Sequence, residues 1–133
     1  MLRDIMKAVF EKPVTETYPF ERVETPPTLR GKLVWTPGAC TGCALCVKDC
    51  PADAIHLITL DKAAKRFVME YHEDRCIFCG QCVQSCRFDC LTLQNDDWEL
   101  ATATRSGFTV WYGAPEDVAA VVQDSSPPDR ESP

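Results

Sequence analysis

Four cysteines fall within eleven residues in CTGCALCVKDCP, at Cys40, Cys43, Cys46 and Cys50, and thirty-six positions later CIFCGQCVQSCR repeats the same gaps at Cys76, Cys79, Cys82 and Cys86. No other feature limits the possible folds so tightly. In a disulfide scaffold, neighbours two residues apart would have to find distant partners. The nine cysteines are an odd number, and the longest uncharged run near the N-terminus, Ala8-Val9-Phe10, is too short for a secretory leader. A reducing compartment and metal ligation are therefore expected.

Three cysteines at two-residue gaps curl the backbone around one corner of an iron–sulfur cubane, leaving the fourth iron for a remote cysteine. In a two-cluster arrangement the last cysteine of each run serves the cluster of the other run. The expected ligand sets are Cys40, Cys43, Cys46 and Cys86 for one 4Fe-4S cluster, and Cys76, Cys79, Cys82 and Cys50 for the second. Pro51 ends the first run with a fixed φ. Structural zinc would call for cysteine pairs across a longer spacer.

The run from about Gly31 to Asn95 reads as an internal duplication, in which Val47 aligns with Val83 and Asp53 with Asp89. Strands are predicted at 32–35, 56–60, 66–71 and 91–93, with a hairpin turn through DKAAKR and short helices beginning near Val47 and Val83. That mixture predicts an α+β fold with pseudo-twofold halves. Ahead of it, Leu2, Ile5, Met6, Val9 and Phe10 form an apolar stripe on a helix that Pro13 closes. Such a helix is too short to stand alone, so it should lie on its own domain, on a partner subunit or on a membrane surface. The segment from Pro13 to Thr28 holds four prolines and reads as an extended strap. Three regions result: helix and strap over 1–30, the cluster domain over 31–95, and a C-terminal docking tail over 96–133, disordered from about 124. In the tail, Trp98, Phe108, Trp111 and Tyr112 are expected to pack, and Pro115 opens a short helix through Val122.

A formal charge of −6 opposes nucleic-acid binding, and no apolar stretch is long enough to span a membrane. No nucleophile, general base or substrate constellation stands out, which suits electron transfer without a catalytic site. Cys90 aligns with Ala54 and reads as a packing thiol, with a ligand or redox role as the alternatives. His56 and His72 lack the cysteine interleaving of a Rieske site and read as structural or surface residues. Arg75 and Arg87 bracket the second run, where a cation would favour the reduced form of a cluster.

The two runs resemble those of bacterial-type two-cluster 4Fe-4S ferredoxins. The flanks TETYPFERVETPPTLRGKLVW and RCIFCGQC are similar to those of the TYKY-type ferredoxin subunit of respiratory complex I and of related membrane-bound hydrogenases and formate hydrogenlyases. The resemblance implies a ferredoxin-like two-cluster domain that relays single electrons within a membrane-associated hydrogenase-like or complex I-like oxidoreductase. It further implies hydrogenase-like small and large subunits and a membrane arm as partners, with peripheral contact on the cytoplasmic side of the membrane. The short chain favours the hydrogenase-like branch, and Arg87 departs from the proline expected there. The alternative is a free soluble ferredoxin, which leaves the segments outside 31–95 without a role.

Overall fold

Leu33–Trp35 (β1) and Leu91–Leu93 (β4) pair antiparallel, with Leu33 opposite Leu93 and Trp35 opposite Leu91. The computed structural model describes residues 2–12, 15, 17, 20–21, 24–95 and 101–124. A second antiparallel sheet, in the order β2-β3-β5, joins Ile55–Asp61 (β2), Arg66–His72 (β3) and Thr109–Tyr112 (β5). Its β2–β3 register sets Ile55 opposite Tyr71 and Leu57 opposite Met69.

The β2–β3 hairpin follows from local chemistry. Asp61 accepts hydrogen bonds at Oδ1 from the N–H groups of Ala63 and Ala64, at 2.8 and 3.1 Å, and Lys65 takes a left-handed φ of 54° to complete the turn. In β3, Phe67, Val68 and Met69 are all buried, because this central strand is covered on both faces. Leu33, Ile55, Tyr71 and Leu91 join Phe67 and Met69 in one core with Cys40, Cys46 and Cys90. Two very short helices, Leu45–Lys48 (α2) and Gln81–Ser85 (α3), lie against each other, with α2 also against β2 and α3 against β4. At four and five residues they depend on that packing.

Both ends of the chain can be compared with the expectations. The N-terminal helix, Leu2–Phe10 (α1), forms where the apolar stripe predicts it, but it buries no side chain, and Leu2, Ile5, Met6, Val9 and Phe10 are 55–80% exposed. Among the described residues nothing lies over this face. Trp111 and Tyr112 belong to strand β5, which hydrogen-bonds to β3 with Tyr112 opposite Met69. The Tyr112 hydroxyl donates to the Leu33 carbonyl and so ties one sheet to the other. A last helix, Pro115–Asp124 (α4), runs two residues past the predicted end and is held to β3 by an ion pair between Arg66 and the buried Asp117. Pro13, Trp98 and the end of the tail lie outside the described residues.

Candidate metal centres

Each cysteine run threads through backbone that L-residues seldom adopt. Gly42, Ala44 and Asp53 have φ of 69°, 57° and 49°, and Phe78, Gly80 and Asp89, each thirty-six positions later, have 52°, 77° and 49°. Left-handed residues alternating with helical ones turn successive N–H groups to one side, as an anionic group requires. Sulfur receives some of them: Gly42 N–H donates to Cys40 Sγ and Phe78 N–H to Cys76 Sγ, both at 3.4 Å, and Ala54 N–H donates to Cys50 Sγ at 3.3 Å.

The sulfurs line two hollows, of about 370 and 310 Å³ including the part open to solvent. Cys76, Cys79 and Cys82 line the larger together with Cys50 from the first run. Cys40, Cys43 and Cys46 line the smaller together with Cys86 from the second run and with Cys90. The remaining walls are almost wholly apolar, including Leu33, Ile55 and Leu93 in one and Trp35, Leu57 and Leu91 in the other. Among the described residues, no three His, Cys, Asp or Glu side chains are grouped to hold a single metal ion.

These surroundings suit an iron–sulfur cluster. Besides the sulfurs and N–H donors, Trp35 Nε1 is buried without a hydrogen-bond partner among the described residues, and the buried Tyr71 hydroxyl has only the Cys76 sulfur to turn to. Trp35 lines the smaller hollow, and Tyr71 lies beside Cys76 of the larger. Buried donors of this kind want an acceptor, which bound sulfide or thiolate would provide. Burial pushes the Cys46 and Cys82 thiols up to about 11, so in the metal-free chain both carry protons at neutral pH that iron binding must release.

Cys90 is not remote from the two cysteine runs. Its Sγ lies 3.2 Å from that of Cys86. Burial pushes the Cys90 thiol up; burial acts on Cys86 in the same direction, but hydrogen bonds from Cys90 and Phe88 outweigh it and hold Cys86 below the ordinary range. His56 and His72 pack edge to face, with ring centres 5.5 Å apart, and neither lines a hollow. Arg75 reaches the Asp53 carbonyl at 3.4 Å. Sequence reasoning missed Arg30, whose guanidinium donates to the carbonyl of Cys79, and the buried donors Trp35 and Tyr71. A signal for that pair existed: each run is preceded, five positions before its first cysteine, by an aromatic residue with a polar tip.

Comparison with known proteins agrees with this chemistry. The family described as 4Fe-4S dicluster domain matches residues 39–90, which indicates two 4Fe-4S clusters. NADH-quinone oxidoreductase subunit I 2 of Geobacter metallireducens is 37% identical over 114 residues, covering 80% of this chain and 86% of its own. NAD(P)H-quinone oxidoreductase subunit I of Gloeobacter violaceus is 34% identical over 71% of this chain, which spans only 46% of that relative. Among solved structures, a chain of the membrane-bound sulfane sulfur reductase, an archaeal respiratory membrane complex, superposes with a TM-score of 0.62 at 31% identity, over 77% of this chain and 55% of its own. Identity of this order over most of the Geobacter relative's length places the chain in the family of NADH-quinone oxidoreductase subunit I.

Proposed function

We propose that the protein is an electron-relay subunit of a membrane-associated oxidoreductase complex, passing single electrons between donor and acceptor sites carried by other subunits. The observation that carries this reading is the pair of sulfur-lined hollows, each drawing three cysteines from one run and one from the other. When bound, a 4Fe-4S cluster supplies reversible one-electron exchange without making or breaking bonds in a substrate. The chain's own part is to hold two such groups in one small core and surround them with apolar walls and inward N–H donors.

The ligand sets we assign are Cys40, Cys43, Cys46 and Cys86 for the smaller hollow, and Cys76, Cys79, Cys82 and Cys50 for the larger. The duplication is part of the same reading. Its support is the matched φ values and a matched pair of hydrogen bonds, Thr36 N–H to the Cys90 carbonyl and His72 N–H to the Ala54 carbonyl, both 2.8 Å. Residues 31–95 then form the cluster domain, and β5 is built into it from the tail. The helix α1 and the strap serve as docking elements, with α1 on the membrane arm or a neighbouring subunit at the cytoplasmic face. Its uncovered apolar stripe favours a fixed subunit over a free soluble ferredoxin. Hydrogenase-like small and large subunits are the partners this reading favours.

Anaerobically purified protein should hold about eight irons and eight acid-labile sulfides per chain. Cys50→Ala should alter the reduced EPR signal that Cys79→Ala alters and spare the one that Cys43→Ala alters. If Cys50→Ala instead reproduces the Cys43→Ala spectrum, each run holds its own cluster and the crossed assignment is wrong.

A further inference from the structure

Five cysteine sulfurs line the smaller hollow, one more than a cubane needs, whereas four line the larger. The fifth is Cys90, only 4% exposed and 3.2 Å from Cys86. Ala54 occupies the matching place beside Cys50 and has no sulfur to offer. The two centres are therefore unequal in a way their shared spacing does not reveal.

We propose that Cys90 is a reserve ligand, able to take over the iron of Cys86 when that bond is lost. This rests on the assignment of Cys86 to the cluster of Cys40, Cys43 and Cys46. The exchange needs little movement. The Cys90 carbonyl stays tied to Thr36 N–H at 2.8 Å, so the backbone entering β4 is fixed and the sulfur must advance by side-chain rotation. The exposed turn Arg87-Phe88-Asp89 can absorb the remaining shift, since no buried side chain anchors it. In the exchange the Cys90 S–H bond breaks, its proton leaves to water and an iron–sulfur bond forms, with no change in electron count. Replacement of Cys86 would then leave the smaller centre fully ligated, whereas the larger has no such second thiol.

The test compares Cys86→Ala, Cys90→Ala and the double variant in the anaerobically purified full chain, by iron content and reduced EPR. Cys90→Ala is expected to match the wild type. Cys86→Ala should keep about eight irons, with an altered signal for the smaller centre alone, and the double variant should lose at least one iron. If Cys86→Ala loses as much iron as the double variant, the reserve role is wrong while the ligand assignment stands. If both keep all their iron and the wild-type spectrum, Cys86 is not a ligand and the assignment fails with the inference. Should Cys86→Ala not fold, Cys86→Ser and Cys86→Ser/Cys90→Ala replace the pair: differing spectra support recruitment of Cys90, and identical spectra overturn it.

Discussion

Arg30 stands ten positions ahead of the first cysteine, yet its guanidinium donates to the carbonyl of Cys79 at the larger hollow. A cation held there stabilises added negative charge and favours the reduced state. Arg30→Gln should lower the potential of the Cys79 centre by about 10–40 mV, the one-electron equivalent of an exposed charge interaction, and leave the other unchanged. A redox titration followed by EPR decides it, and equal shifts at both centres would show a non-local effect. The cysteines themselves were legible because metal geometry dictates their spacing. Arg30 was not, because its contact joins residues 49 positions apart in the chain. Gly42 makes the same point from the other side. Its φ of 69° is nearly matched by Phe78 at 52°, so backbone conformation alone does not demand glycine. What does is the ring of Phe67, which a Cβ at position 42 would strike, and nothing in the local sequence announces that neighbour.

Strand β5 and helix α4 act as a clasp on the outer edge of β3. The stretch Thr109-Val110-Trp111-Tyr112 consists of strong strand formers, but four residues carry too little periodicity to fix a partner, and the pairing is decided by the open edge of β3. The helix was easier to foresee, with Pro115, Glu116 and Asp117 opening its first turn. Its hold on the sheet depends on charge. The Arg66 guanidinium keeps the Asp117 carboxyl below its usual range, so the stabilisation is present above the unfolded value, near pH 3.9, and is lost as pH falls through the lowered folded value. Asp117→Asn should remove this contribution at neutral pH. Amide hydrogen exchange across 115–124 should then quicken while exchange in β2 stays slow; an unchanged rate would show that apolar contacts alone hold the helix.

At the scale of the whole molecule, α1 is set apart from the cluster core. Deleting residues 2–10 should leave about eight irons per chain and change stability by no more than about 0.5 kcal/mol, since no buried contact is lost. The same deletion should release the protein from the membrane fraction, as read by sedimentation of the assembled complex. Loss of iron in the truncated chain would make the helix part of the core. The crossed pairing of the two halves also has a consequence for biosynthesis. A nascent chain leaves the ribosome N-terminus first, and β1 finds no partner until Leu91–Leu93 has followed it. The hollow begun by Cys40, Cys43 and Cys46 is likewise incomplete until Cys86 emerges, and β3 keeps a bare edge until Thr109–Tyr112 arrives. Closure by such distant partners is slow and cannot proceed half by half. Folding and metal loading therefore wait for these later segments, and until they arrive the thiols and unpaired strands stand open to oxygen and to one another.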